Sequence, residues 1–269
     1  MRLAFVGGGN MGEAMLAAIL EKGLSTVDNV TVSDISESRR RDLKQKYGIT
    51  VTGDNRRAVS GSEVVVLAVK PQQLAEVMSE INDCLDASQL VLSIVAGATI
   101  GTLCRGLGHD CVARVMPNTP ARIGEGISVW TATNGVSKEQ QNQVAAILSA
   151  MGRQVHVTDE RYLDMATAVS GSGPAYVFLF AEALTSAAVD IGLPGDMARA
   201  LALETILGSA RFMQGSDRSP AELRRMVTSP GGTTAAALAR LEEGRFIELI
   251  SRAVKAAYQR AKELGSSGE

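Results

Sequence analysis

Cysteine is scarce in this chain, with three residues, Cys84, Cys104 and Cys111, among 269. The count is odd and no CxxC occurs, so neither a disulfide framework nor a zinc ribbon is expected. The thiols read as small side chains in a reducing compartment. Aromatic residues make up 4% of the chain, which leaves few platforms for stacking on single-stranded nucleic acid. Basic charge is not in excess: 27 Lys and Arg against 29 Asp and Glu give a net charge of −2. Nucleic-acid phosphates call for a basic face, so no nucleic-acid partner is expected. Long apolar runs are also missing. The longest uncharged stretches, 87–104 and 165–181, are broken by Ser, Gln, Thr, Gly or Pro and lack the density of a membrane span. The opening residues, MRLAFVGGGNMG, contain no signal-peptide core, and the expected location is cytoplasmic. His109 and His156 are the two histidines, and neither joins a Ser/His/Asp arrangement or a metal-ligand spacing. No metal site is expected.

What is present is an ordinary globular composition, 45% hydrophobic and 21% charged. At about 150 residues per domain, the length suggests two domains. The first half alternates β-branched runs with amphipathic stretches. The runs are 3–6, 30–33, 64–69, 90–95, 111–116, 127–131 and 154–157. Residues 64–69 read VVVLAV with no polar alternation, which is the habit of a strand covered on both faces in a parallel sheet. Helices are expected at 11–22, 37–47 and 138–151, the last opened by the capping box Ser137–Gln140. Strand-helix alternation of this kind predicts a doubly wound α/β domain. After Val157 no run reads as a strand, and helical periodicity takes over. Pro174 stands at a helix start, Ser219–Glu222 is a second capping box, and 245–264 carries one apolar stripe. The predicted organisation is a Rossmann-like dinucleotide-binding domain over 1–158 and an all-α substrate-binding and dimerisation domain over 159–269. Residues 265–269 are expected to fray.

Chemistry concentrates in glycine-rich turns. Gly7-Gly8-Gly9-Asn10-Met11-Gly12 is a G-x-G-x-x-G between an apolar strand and a helix, the context that makes this pattern a dinucleotide site. Gly7 makes the tight turn, Gly9 lets backbone approach a pyrophosphate, and Gly12 allows close helix packing. The helix start supplies free N–H groups and the positive end of a dipole. Asp34, at the end of the second run, is placed to accept hydrogen bonds from the adenosine ribose of NAD. Arg39, Arg40 and Arg41 follow, either as partners for a 2′-phosphate or as a solvated basic face. The loop Met116-Pro117-Asn118-Thr119-Pro120 falls where a sheet edge faces its ligand, making Asn118 a candidate cofactor contact, with a rigid structural turn as the alternative. Ser170-Gly171-Ser172-Gly173-Pro174 reads as another turn. Ser229-Pro230-Gly231-Gly232-Thr233-Thr234 precedes a helix, and its small residues and N–H groups suit a carboxylate; the alternative is a plain interhelical turn.

Taken together the motifs resemble the pyrroline-5-carboxylate reductase family over essentially the whole chain. They are FVGGGNMGEAM at 5–15, LAVKPQ at 67–72, VAGATI at 95–100, RVMPNTP at 114–120, SGSGPAYVF at 170–178 and VTSPGGTT at 227–234. The resemblance implies reduction of 1-pyrroline-5-carboxylate to L-proline, the last step of proline biosynthesis, by hydride from NADPH or NADH. It implies a homo-oligomer, either a dimer through the helical domain or a decamer built from dimers. It places cofactor contacts on the 7–12 loop (Gly7, Gly9, Asn10, Met11, Gly12), Asn55, Ala68, Lys70, Ala96 and Gly97. It places the substrate carboxylate on Ser229, Gly231, Gly232, Thr233 and Thr234, with the Thr234 hydroxyl at the ring nitrogen. Asp34 departs from the Ser or Thr of many relatives, and its charge would repel a 2′-phosphate.

Two other classes are weighed against this. A β-hydroxyacid dehydrogenase shares the layout but is similar to its own relatives in a lysine on the first long helix of the second domain, and 174–190 contains none. A non-catalytic dinucleotide sensor would keep the 7–12 loop with no need of TSPGGTT.

Overall fold

A computed structural model describes residues 1–266, which form two compact units: Met1–Ser172 together with the described part of Ala256–Glu269, and Gly173–Lys255. In the first unit the chain runs β1 (Leu3–Val6), α1 (Asn10–Glu21), β2 (Val30–Ser33), α2 (Glu37–Tyr47), β3 (Thr50–Thr52), α3 (Asn55–Val59), β4 (Val64–Leu67), α4 (Leu74–Ile81), β5 (Leu90–Ser93), α5 (Ile100–Leu107), β6 (Val112–Met116), β7 (Gly126–Ala132), α6 (Lys138–Ala150), β8 (Gly152–His156) and α7 (Arg161–Ala166). The eight strands make one sheet in the order β3-β2-β1-β4-β5-β6-β7-β8. All neighbours are parallel except β6 and β7. The reason is chain length: the link from Met116 to Gly126 is too short for the crossover of a dozen or more residues that a parallel return needs.

The sheet is covered on both sides, as the VVVLAV run predicts. Side chains alternate along each strand. Leu3, Phe5, Val64, Val66, Leu90 and Leu92 pack on one face with Met15, Leu16 and Ile19 of α1 and Ile147 of α6. Ala4, Val6, Val65, Leu67 and Val91 pack on the other with Val77, Ile81, Leu103 and Leu107 from α4 and α5. The expected strands over 64–69 and 90–95 end early, at Leu67 and Ser93. Ala68 and Val69 leave the sheet to line the nucleotide cleft, while Ile94 and Val95 stay packed on the cores. The edge strand β3 is missing from the sequence expectation. At three residues, none of them buried, it has too little pattern to register.

The first compact unit runs on to Ser172 and takes in the end of the last helix from Ala256. Arg114 on β6, buried, donates to Glu160 at 2.7 Å and to Asp164 of α7 at 2.7 Å. Glu160 also accepts from the Ile100 N–H at 2.7 Å. These bonds tie α7 and the start of α5 to the sheet, so the first unit extends to Ser172. The 170–174 segment is not a simple turn. Thr167–Gly171 form a π-helical stretch, and Ser172 N–H donates back to the Thr167 carbonyl.

The second unit comprises α8 (Gly173–Asp190), α9 (Gly195–Gln214), α10 (Pro220–Met226), α11 (Thr233–Glu243) and the first half of α12 (Phe246–Ser266). Both capping boxes form: Ser137 with Gln140 and Ser219 with Glu222 exchange side-chain and backbone bonds. Helix α12 continues through Gly265 and Ser266, so these two do not fray; the expectation for 267–269 lies outside the described residues. The last turn stays helical against the first unit, where Leu264 packs on Gly97.

Candidate active site

The nucleotide cleft is built at the carboxyl ends of β1, β2 and β4, where the strand order reverses direction from β1. It is a cavity of about 430 Å³ lined by Gly7, Gly9, Asp34, Asn55, Ala68 and Lys70 from the expected set. The glycines have distinct duties. Gly7 has φ +97°, and a Cβ there would lie 2.7 Å from the Ala68 carbonyl oxygen. A Cβ on Gly12 would meet the Gly7 carbonyl oxygen at 2.8 Å, so α1 can approach β1 and β4 this closely only without a side chain. A Cβ on Gly9 would meet nothing, so the loop is open on the cleft side. Gly9 is also the N-cap of α1 and has no side-chain cap, which leaves the first N–H groups for a ligand. These features fit a dinucleotide pyrophosphate.

Other expected residues are placed differently. Asn10 and Met11 open α1 behind the loop and, with Gly12, do not line the cavity. Ala96 and Gly97 line a separate cavity of about 260 Å³, across the 70–74 segment, with Thr102 and Leu264. Asn118 does not line this cavity. Its side-chain oxygen accepts from the Ile127 N–H at 2.9 Å and pins the β6–β7 connection, which is the structural-turn alternative. Asn55 lines the cleft, but its amide donates to Glu80 at 2.6 Å. Glu76 and Glu80, one helical turn apart on α4, line the cleft and were not anticipated; their i, i+4 spacing was the available signal.

Electrostatics around the loop centre on Gly8. Its N–H donates to Asp34 Oδ2 at 2.9 Å, and its carbonyl accepts from Arg39 Nε at 2.6 Å. Asp34 Oδ1 accepts from the Ser36 N–H at 2.8 Å. Arg39 also pairs with Glu13, whose carboxylate further accepts from Lys46 Nζ at 2.8 Å and the Tyr47 hydroxyl at 2.9 Å. Burial pushes the Glu13 pKa up, but bonds from Lys46, Arg39 and Tyr47 outweigh it and hold the group at about 2, against 4.5 for a free side chain. The folded pKa lies below the unfolded one. The stabilisation is therefore complete above about pH 4.5 and is lost as pH falls toward 2. Urea unfolding should show the wild type about 1–2 kcal/mol more stable than Glu13→Gln at pH 6, allowing for the exposure of Lys46. That gap should close toward pH 2. A gap independent of pH would mean that the charge of Glu13 is not what stabilises.

The proposed carboxylate loop lies in the second unit, between α10 and α11. Gly231 has φ +70°, and Gly232 N–H donates to the Ser229 carbonyl at 3.1 Å. A Cβ on Gly232 would fall 2.5 Å from Ser229 Oγ. Gly232 is the N-cap of α11 and offers no side chain to its N–H groups. Thr233 and Thr234 are the first two helical residues, with Thr233 exposed and Thr234 half-buried.

A doubly wound sheet with this glycine loop, followed by a helical unit, defines a dinucleotide-dependent oxidoreductase. Residues 2–97 match the model described as "NADP oxidoreductase coenzyme F420-dependent", and residues 160–264 match "Pyrroline-5-carboxylate reductase dimerisation". The chain is 41% identical to a pyrroline-5-carboxylate reductase of Synechocystis over 98% of both chains. It is similar to solved pyrroline-5-carboxylate reductases of Coxiella burnetii, at TM-score 0.88 and 38% identity, and of Plasmodium falciparum with NADP bound, at TM-score 0.91 and 32% identity, each covering 98% of both chains. The chain belongs to the pyrroline-5-carboxylate reductase family.

Proposed function

We propose that this chain reduces 1-pyrroline-5-carboxylate to L-proline with NAD(P)H through the two sites described above. The observation that carries the reading is the uncapped start of α11 behind the 229–232 turn, on a chain that also holds a nucleotide cleft. Backbone N–H groups at Gly231, Thr233 and Thr234, with the Ser229 hydroxyl, hold the substrate carboxylate, while the Gly232 N–H closes the turn on the Ser229 carbonyl. The Thr234 hydroxyl hydrogen-bonds the ring nitrogen and orients the imine. Gly7, Gly9 and the N–H groups of α1 take the pyrophosphate, Asp34 the adenosine ribose, and Asn55, Ala68 and Lys70 the rest of the dinucleotide. Asn10, Met11 and Gly12 support the loop from α1, and Ala96 and Gly97 border the neighbouring cavity. When bound, NAD(P)H supplies the hydride. A protonated cyclic imine already invites hydride, so the chain has to orient the substrate and exclude water more than to supply a strong acid. Loss of reduced-nicotinamide absorbance with 1-pyrroline-5-carboxylate, and formation of L-proline, test the reading. Cofactor binding without turnover would favour the sensor instead.

The same reading makes the protein a homo-oligomer. Among the described residues of the second unit, the buried apolar side chains are Ala198, Ala202 and Leu223. Phe178, Leu179, Ile191, Phe212 and Ile247 are all more than half exposed. Helices this apolar need a second copy to cover them, and a dimer, or a decamer of such dimers, does so. Light scattering should show no stable monomer at low micromolar concentration, and an active monomer would overturn this. The free thiols of Cys84, Cys104 and Cys111 suit a cytoplasmic location. No described helix is long and apolar enough to cross a membrane.

A further inference from the structure

Three consecutive arginines follow Asp34 by one turn of α2, at the end of the cleft where an adenosine ribose belongs. An arginine near this point is the usual partner of a 2′-phosphate. None of the three lines the cleft. Its charged lining residues are Asp34, Glu76, Glu80 and Lys70, three acids to one base. Each arginine already has acceptors within the protein. Arg41 pairs along the helix with Glu37. Arg40 donates to the carbonyls of Asp34 and Ile35, at 2.6 and 3.1 Å. Arg39 is held from two sides, by the Gly8 carbonyl and by Glu13.

Of these arrangements only the last involves a carboxylate from another element. Glu13 sits in the first turn of α1, with its side chain 15% exposed, and receives Lys46 and Tyr47 from the far end of α2 as well as Arg39. A carboxylate gripped by three donors is anchored and does not follow Arg39 if that side chain swings. Arg39 could reach a 2′-phosphate only by giving up an ion pair that is largely shielded from solvent, along with a bond to the phosphate-loop peptide.

We propose that Glu13 is a positioning residue for cofactor choice: by holding Arg39 on the Gly8 carbonyl, it withholds from the adenosine end of the cleft the cation that would recognise a 2′-phosphate. This withheld attraction would act independently of any repulsion from Asp34. Discrimination of this kind commonly combines a disfavoured contact for one ligand with a fitted contact for the other. The inference rests on reading the 7–12 cleft as the nucleotide site, but not on the role of Asp34.

The test compares wild type, Glu13→Gln, Arg39→Gln and the double variant. The readouts are the NADPH to NADH ratio of kcat/KM, and the affinity for 2′,5′-ADP against 5′-AMP by calorimetry. Glu13→Gln should raise the NADPH to NADH ratio about 5- to 10-fold and tighten 2′,5′-ADP selectively. Arg39→Gln alone should leave the ratio within about 2-fold, because the withheld side chain has nothing to lose. In the double variant the gain should vanish. If Glu13→Gln does not fold, Glu13→Asp shortens the anchor and should move the ratio in the same direction. An unchanged ratio in a folded Glu13 variant overturns the proposal. So does a 10-fold loss of NADPH use or 2′,5′-ADP affinity in Arg39→Gln alone, since Arg39 would then already serve the phosphate. Wild type that binds neither 5′-AMP nor NADH would instead remove the nucleotide-site reading itself.

Discussion

Thr234→Ala should lower kcat/KM for 1-pyrroline-5-carboxylate by about 10- to 150-fold while leaving cofactor affinity nearly unchanged. The hydroxyl is proposed to bond the ring nitrogen of a protonated imine. A hydrogen bond to a charged group contributes roughly 1.5–3 kcal/mol, and that range sets the factor if the bond is realised mainly in the transition state. Thr234→Ser restores the hydroxyl and should recover most of the loss. A purely structural role for Thr234 would be to cap α11, but the N-cap of that helix is Gly232 and no side chain caps it. Thr234 is already inside the first turn, where alanine is the better helix former. The Ala variant should therefore melt within about 0.5 kcal/mol of wild type, or slightly above it. Reduced turnover at unchanged stability is the expected pair of results. A folded Ala variant with wild-type turnover would remove Thr234 from the mechanism.

The parts of the fold legible in the sequence are those whose pattern is local. The VVVLAV run, the glycine loop between strand and helix, and the boxes at Ser137 and Ser219 each carry their physics within about ten residues, and each forms, the strand of the VVVLAV run stopping at Leu67. The parts that were not legible depend on partners distant in sequence. The reach of the first unit to Ser172 depends on Arg114 meeting Glu160 and Asp164, roughly fifty residues away. The return of α12 depends on Leu264 packing against Gly97, which has φ +77° and no room for a Cβ beside Leu264. Asn118 shows the same limit in the site: a polar residue in a proline-flanked loop at a sheet edge reads equally as ligand contact or turn brace, and its brace to Ile127, nine residues on, is not visible in the sequence. The Arg39–Glu13 pair was hidden for another reason. Three adjacent arginines look like one basic face, whereas a helix sends them in three directions to three different acceptors.

Replacing Asp34 with Ser should raise the NADPH to NADH ratio of kcat/KM by about 10- to 100-fold. Asp34 is half-buried at the end of β2 and lines the cleft. Two unit charges about 4 Å apart repel by about 4 kcal/mol at an effective dielectric of 20, an upper limit that an open cleft and mobile ions reduce. About 1.4–2.8 kcal/mol remaining corresponds to the stated range. The same carboxylate serves NADH by accepting from ribose hydroxyls. It also accepts from the N–H groups of Gly8 and Ser36, so removing it should slow the NADH reaction as well. The ratio, not the absolute rate, is the reading that isolates the 2′-phosphate. Asp34→Asn separates the two contributions, because it keeps an acceptor for Gly8 while removing the charge. If repulsion dominates, Asn should reproduce most of the shift seen with Ser. If the lost ribose bonds dominate, Asn should retain NADH turnover and leave the ratio near wild type. An unchanged or lowered ratio in both variants would mean that Asp34 does not select the cofactor and that the arginines of α2 do. Glu13→Gln would then still raise the ratio by itself, through the released Arg39.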